Sequence, residues 1–226
     1  MNIDEFITAN RCKYLYHISE KGSWPNIQKL GLLSTSALLD LCGATGAERF
    51  NIESQLRTRK VLIKHPTYGD IYIRDQDPMQ DRPSDGIKLT DLLESGTTVR
   101  EWFEFLNGKV FFWVSEYEFK KMLCARLYRN KPHWVLKVDT RSLLTNYAGK
   151  ASISSQNSGS LYSKKLRGPS TFVPFLKSAT KNGVMELAIE HEVSNIEEHT
   201  VSVVECIGSF ENNERVCKPV KQIWPL

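Results

Sequence analysis

Apolar and polar positions recur along the chain with periods that predict a mixture of helices and strands. At 2–9, Ile3, Phe6 and Ile7 fall on one face of a short amphipathic helix. The run 14–18, YLYHI, has the aromatic and β-branched content that suits a half-buried strand, with His17 near its exit. Ser23 predicts a cap for a helix with Pro25 in its first turn and Trp24, Ile27 and Leu30 at helical spacing. Gly31 stands where a left-handed cap would release the chain into Leu32 and Leu33.

Further along, Ser34 and Ser36 precede a helix at 37–41, Gly43 and Gly46 interrupt it, and a polar helix at 47–53 carries Glu48 and Arg49. Two β-prone runs, 61–63 and 71–73, flank Pro66 and Gly69 and predict a hairpin. A dense polar cluster follows at 74–79, where Asp77-Pro78 reads as a turn, and 80–86 reads as loop. A short helix is expected at 87–93 and a stronger one at 99–106, buried through Trp102, Phe103, Phe105 and Leu106. The run 110–114 is apolar on both faces, which predicts a central strand. Ser115 then caps a helix at 116–128, a strand covers 134–138, and Asp139-Thr140 opens a helix at 141–147. Residues 152–182, rich in Ser, Gly, Lys and Asn, read as one long loop of the kind that serves as a lid or binding loop. Alternation returns at 183–190, setting Glu186 on the face opposite Met185, Leu187 and Ile189, with Glu190 two residues along as its rival. An added strand at 201–207 and a polar tail complete the pattern.

Composition narrows this picture. With 226 residues, 41% of them apolar, the chain can bury one good core, so a single domain spanning 1–226 is expected, its core at about 12–208. The net charge of +4 permits a polyanionic partner without demanding one. Five scattered cysteines show neither paired spacing nor a metal-like cluster with His, so they read as reduced thiols and no metal is expected. No stretch is long and apolar enough to cross a bilayer, and the start lacks a basic region followed by an apolar run, which together predict a cytoplasmic protein.

Several chemistries lose support because their motifs are absent: the P-loop, the Gly-rich dinucleotide turn, the zincin helix and the nucleophile elbow. Arg74 at the end of the hairpin could hold phosphate or ribose, and Ser115 before its helix sets a dipole end at the sheet edge. Lys164, Lys165, Arg167, Lys177 and Lys181 make the 152–182 segment attractive to a nucleic acid, although a solvated basic loop reads equally well.

Tyr16-His17-Ile18-Ser19 at the end of a first strand, followed by Ile27 and Gly31-Leu32 on a short helix, resembles the opening of NAD-dependent ADP-ribosyltransferases of the DNA-modifying DarT type. The segment Met185-Glu186-Leu187-Ala188-Ile189 is similar to the late strand that begins with their catalytic glutamate, and Phe111-Phe112-Trp113 stands where they have a central aromatic strand. The Pro-Arg-Ser-Pro that follows that strand in the family is replaced here by Ser115-Glu116. The resemblance implies an α+β fold with a split mixed or antiparallel sheet and flanking helices, and transfer of ADP-ribose from NAD to a nucleic acid or nucleobase.

It implies Glu186 as the carboxylate beside the nicotinamide ribose, with Arg49 as a second catalytic candidate. His17 and Ser19 would hold ribose hydroxyls, Arg49 or Arg74 the pyrophosphate, and Phe112 or Tyr16 the nicotinamide. Ile18, Gly31 and Leu32 would shape the NAD site, and Asn157, Lys164, Lys165 and Arg167 the acceptor side. A role as a toxin or phage-defence effector, with an antitoxin partner, is consistent with this resemblance. Two alternatives stay open: a related NAD-using RNA 2′-phosphotransferase or NAD hydrolase, and a non-enzymatic binding module with the same fold.

Overall fold

The computed structural model describes residues 1–76, 86–179 and 182–225. Helix α1 (Ile3–Asn10) leads into strand β1 (Tyr14–Glu20), α2 (Trp24–Leu30), the short β2 (Leu32–Leu33), α3 (Thr35–Leu41) and α4 (Gly46–Glu53). A hairpin of β3 (Val61–His65) and β4 (Gly69–Ile73) precedes α5 (Val99–Asn107), β5 (Lys109–Trp113) and α6 (Glu116–Leu123). The remainder runs β6 (Pro132–Asp139), α7 (Thr140–Tyr147), β7 (Ala151–Ser154), β8 (Val173–Pro174), β9 (Glu186–Glu190), β10 (Glu192–Val193), α8 (Ile196–His199), β11 (Thr200–Glu211) and β12 (Glu214–Trp224). No helix among the described residues is long and apolar enough to cross a membrane.

Eight strands form one sheet in the order β12-β11-β6-β1-β5-β9-β7-β8, and every neighbouring pair is antiparallel. With its flanking helices this is a single α+β domain. Both faces of the central strands are covered. Leu15 joins Phe6, Trp24, Phe112 and Leu136 in one core, whereas the next residue, Tyr16, packs with Phe119, Leu123 and Val135 beneath α6. That two-sided burial explains why β1 and β5 lack a solvent-facing polar stripe. The cap residues act locally as their chemistry dictates: Ser34, Ser115 and Asp139 each accept from the backbone N–H three residues on.

The decisive irregularity lies at the centre of the sheet. Strands β1 and β6 pair continuously from Tyr14↔Asp139 to Glu20↔His133, but β1 and β5 share only Tyr16↔Trp113. Beyond that pair β1 and β5 part, opening the sheet between its two halves.

Several expectations are corrected by tertiary contacts. The Ser23 side chain does not cap α2; its hydroxyl donates to the Glu20 carbonyl at 2.8 Å. The helix after Ser115 stops at Leu123 and does not reach residue 128, because its end abuts β11: a Cβ on Gly208 would sit 2.3 Å from the Leu123 carbonyl oxygen. The expected helix at 87–93 is only a 3-10 turn, Leu89–Leu92, since the Leu92 carbonyl accepts from the Arg167 N–H at 2.7 Å. The segment 152–182 is no structureless loop where described: β7 pairs with β9, β8 pairs with β7, and Leu161, Phe172 and Phe175 are buried. The polar tail is strand β12, joined to β11 through Asn212 and Asn213, both at positive φ. The Asp77-Pro78 turn and Lys181 lie outside the described residues, as does nearly all of the expected loop at 80–86.

Gly31 ends α2 with φ +83° and ψ 175°, a positive-φ conformation but not the left-handed helical cap expected. A Cβ there would lie 2.6 Å from Ser194 Cα and 2.8 Å from the Val193 carbonyl oxygen. Gly31→Ala is therefore expected to lower stability by about 3 kcal/mol or more, through backbone strain plus the clash of two packed backbones. A urea unfolding midpoint within error of the parent would contradict this.

Candidate functional site

The parting of β1 from β5 opens a cavity of about 620 Å³, within the range of small-molecule and cofactor sites. Its walls come from β1, from the turn joining α2 to α3, from β4, from β5, and from the loop at 157–160. His17 from β1 and Glu186 from β9 both line it, although the chain separates them widely.

His17 meets the Phe111 carbonyl through Nδ1 at 2.8 Å. A carbonyl only accepts, so Nδ1 carries the proton and Nε2 is left with a lone pair. Burial pushes the His17 pKa down to about 4, against the pull of the Phe111 carbonyl and with help from Arg74. The imidazole is thus neutral at pH 7.

Glu186 is 4% exposed and receives the Ser158 backbone N–H at 3.2 Å from each carboxylate oxygen. Burial pushes its pKa up to about 7; the hydrogen bonds from Ser158 and the positive charge of Arg167 oppose this, and the charge of Glu118 adds to it. Near neutral pH the carboxyl therefore exchanges readily between its two forms. Glu190, its sequence rival, sits at the exposed end of β9 and pairs with Lys109.

Arg74 also lines the cavity. It donates to the Ile18 carbonyl at 3.0 Å and to His133 Nδ1 at 3.3 Å, and its guanidinium lies 4.3 Å from the Tyr128 ring centroid. Its Nε has no hydrogen-bond partner among the described residues but lies 3.8 Å from the Glu20 carboxylate, with which it forms an ion pair. Ile18, Ser19, Gly31, Leu32, Phe112 and Asn157 contribute to the walls as well, the Ser19 hydroxyl donating to the Trp134 carbonyl at 3.2 Å.

Five of the candidate residues fall elsewhere. Tyr16 points to the α6 side, where its hydroxyl donates to Glu116 at 3.1 Å and its ring packs on Phe119. Arg49 is not in the cavity wall and is held by Glu53 at 2.6 Å and by Asp40. Lys164 and Lys165 are exposed and line no part of the cavity. Arg167 is wholly buried, its guanidinium donating to the Ser160 and Lys165 carbonyls and to the Ser163 hydroxyl at 3.1 Å. It does not reach solvent as a basic acceptor-binding residue must; it pins the loop that presents Ser158 to Glu186.

Sequence reasoning missed Arg57. It is 6% exposed, lines the cavity, and donates to the Arg74 carbonyl, Thr35 Oγ1 and Asn107 Oδ1, each at 3.2 Å, and to the Ile52 carbonyl. All these acceptors are neutral, and burial lowers its pKa to about 10. Asn107 and Gln76 complete this floor, joined at 3.0 Å. No periodicity marks Arg57 in the irregular stretch after α4, so composition alone held no signal for it. Among the described residues no group of three or more His, Cys, Asp or Glu could hold a metal ion.

Two consequences can be measured. The folded pKa of Glu186 lies above the ordinary carboxyl value of 4.5, so its contribution favours the fold below about pH 4.5 and is lost as pH rises through about 7. Each tenfold change in proton affinity is worth about 1.4 kcal/mol, so Glu186→Gln is expected to be more stable than the parent by up to about 3 kcal/mol at pH 8 and equal to it near pH 4. Urea unfolding across pH reads this, and parallel curves for the two proteins would refute it. Arg167→Met should lower stability by roughly 3 kcal/mol and abolish hydrogen-exchange protection at the Ser158 amide, because buried carbonyls lose their donors.

Among curated proteins none matches the chain. Residues 13–200, which include every strand that frames the cavity, match the model of a family of unknown function, DUF7002, and the chain belongs to that family.

Proposed function

We propose that the protein is an NAD-dependent mono-ADP-ribosyltransferase acting on a nucleic acid or nucleobase. The observation that carries this reading is that a neutral imidazole and a buried carboxyl line one cavity of dinucleotide-compatible size. Support also comes from the opening Tyr16-His17-Ile18-Ser19 segment and the late Glu186 strand described above.

In this reading His17 Nε2 accepts from a ribose hydroxyl, and the buried charge of Arg57 and the half-buried charge of Arg74 favour the pyrophosphate. The bond between C1′ and the nicotinamide nitrogen breaks with its electron pair leaving on nicotinamide, which restores a neutral pyridine. Positive charge grows on C1′ and its ring oxygen, and the Glu186 carboxylate stabilises it while holding the 2′-hydroxyl. An acceptor nitrogen or oxygen then bonds to C1′ and gives its proton to solvent or to Glu186. Because the working form of Glu186 is the carboxylate, the rate rises with pH through about 7 and levels above it.

The test incubates the protein with NAD and separate pools of DNA, RNA and protein, following free nicotinamide and the mass added to each pool. Nicotinamide release with label on a nucleic-acid pool is expected, and Glu186→Gln should lower the rate by about 100-fold or more. Turnover by Glu186→Gln equal to the parent refutes the carboxylate's role. Nicotinamide release without label on any pool identifies a hydrolase, and no release under any condition overturns the enzyme reading.

A further inference from the structure

Of the four residues that the family resemblance assigns to the acceptor side, only Asn157 borders the cavity, which leaves open the side from which an acceptor arrives. The β3–β4 hairpin forms the cavity's outer wall through Asp70, Ile71, Tyr72 and Ile73. Its inner face is covered: Ile63 pairs with the buried Ile71 and Val61 with Ile73, and Ile63 and Ile73, with the partly buried Val61, pack in one cluster with Leu39 and Ile52. The outer face shows the opposite pattern. Leu62 and Tyr72 stand directly across from each other and are 42% and 56% exposed. Tyr72 therefore borders the cavity and faces solvent at once.

Charge on this hairpin favours a polyanion. Arg59 and Lys64 are exposed and form no ion pair among the described residues, while Lys60 is held by Glu20 at 2.6 Å. The carboxylate of that outer face, Asp70, is opposite Lys64 in register. At the turn, the His65 and Tyr68 rings lie 4.7 Å apart, adding a second aromatic surface. An exposed aromatic beside an aliphatic neighbour, with Lys64 on the same face and Arg59 two residues before β3, is an arrangement on which an unpaired base stacks while the cations follow the phosphates.

We propose that the outer face of the β3–β4 hairpin, centred on Tyr72 and Leu62 with Lys64 on the same face and Arg59 just before β3, docks a single nucleic-acid strand and presents one of its bases to the cavity. This rests on the transferase reading for its purpose, but binding can be measured without it. A duplex hides its base faces, so the surface selects unpaired strands.

The full-length protein is titrated into fluorescein-labelled single-stranded DNA of about 15 nucleotides and mixed sequence, the matching RNA, and the DNA duplex, with anisotropy read at several salt concentrations. The parent should bind at least one single strand more tightly than the duplex. Tyr72→Ala should weaken that binding about tenfold and Tyr72→Phe by less than about twofold, the span expected for loss or retention of one stacked base. Arg59→Gln with Lys64→Gln should reduce the slope of log affinity against log salt by about 1.4, or about 0.7 per lost phosphate contact. Lys164→Gln with Lys165→Gln should leave binding unchanged.

The proposal is overturned if the parent binds no single strand, if the duplex binds equally well, or if the Lys164/Lys165 pair matters and the hairpin does not. Nicotinamide release from NAD without any acceptor is measured in parallel. Release with no strand binding refutes this surface and leaves the NAD chemistry standing; strand binding with no release under any condition does the reverse.

Discussion

When two strands separate in the middle of a sheet, the backbone groups at the break must find new partners or carry a desolvation cost. Here side chains supply them. The Phe111 carbonyl takes the Nδ1–H of His17 at 2.8 Å, and the Ile18 carbonyl takes an Arg74 N–H at 3.0 Å. Arg74 is in turn fixed by His133 and by the face of Tyr128. The gap after Tyr16↔Trp113 is thus a satisfied structure, held open by an imidazole on one strand and a guanidinium from the hairpin. The cavity, and the position of the hairpin beside it, both follow.

The same contacts decide the charge state of the site. Loss of water outweighs the Phe111 carbonyl, which pulls toward the charged form, and the nearby charge of Arg74 adds to the lowering, so His17 offers a lone pair and no charge. Glu186 also loses water, but a backbone N–H from Ser158 and the distant charge of Arg167 restrain its rise to about 7. A base that stays neutral and an acid balanced between forms thus line one enclosure. Arg57 adds a buried positive charge whose direct hydrogen-bond acceptors are all neutral oxygens.

Much of the fold could be read from local pattern because local physics decides it. The aromatic runs at β1 and β5, the Trp102-Phe103-Leu106 face of α5, the β3–β4 hairpin and the caps at Ser34, Ser115 and Asp139 depend on near neighbours in the chain. Misreadings arose where a distant segment intervened. Helix α6 stops because β11 crosses it at Gly208, and the turn at Leu92 gives its carbonyl to Arg167. Arg167, in a basic run expected either to meet a nucleic acid or to be solvated, is drawn inward by three oxygen acceptors.

By itself the sequence determined a mixture of helices and strands, with one strand carrying His17 and another carrying Glu186, since period and side-chain shape act over a few residues. Tertiary structure decided that these two strands flank β5 on opposite sides, that β1 parts from β5 after one pair, and that Arg57 enters the wall while Arg49 does not. Strand order and burial are set by contacts between segments far apart in the chain, where alternation within any one segment carries no information.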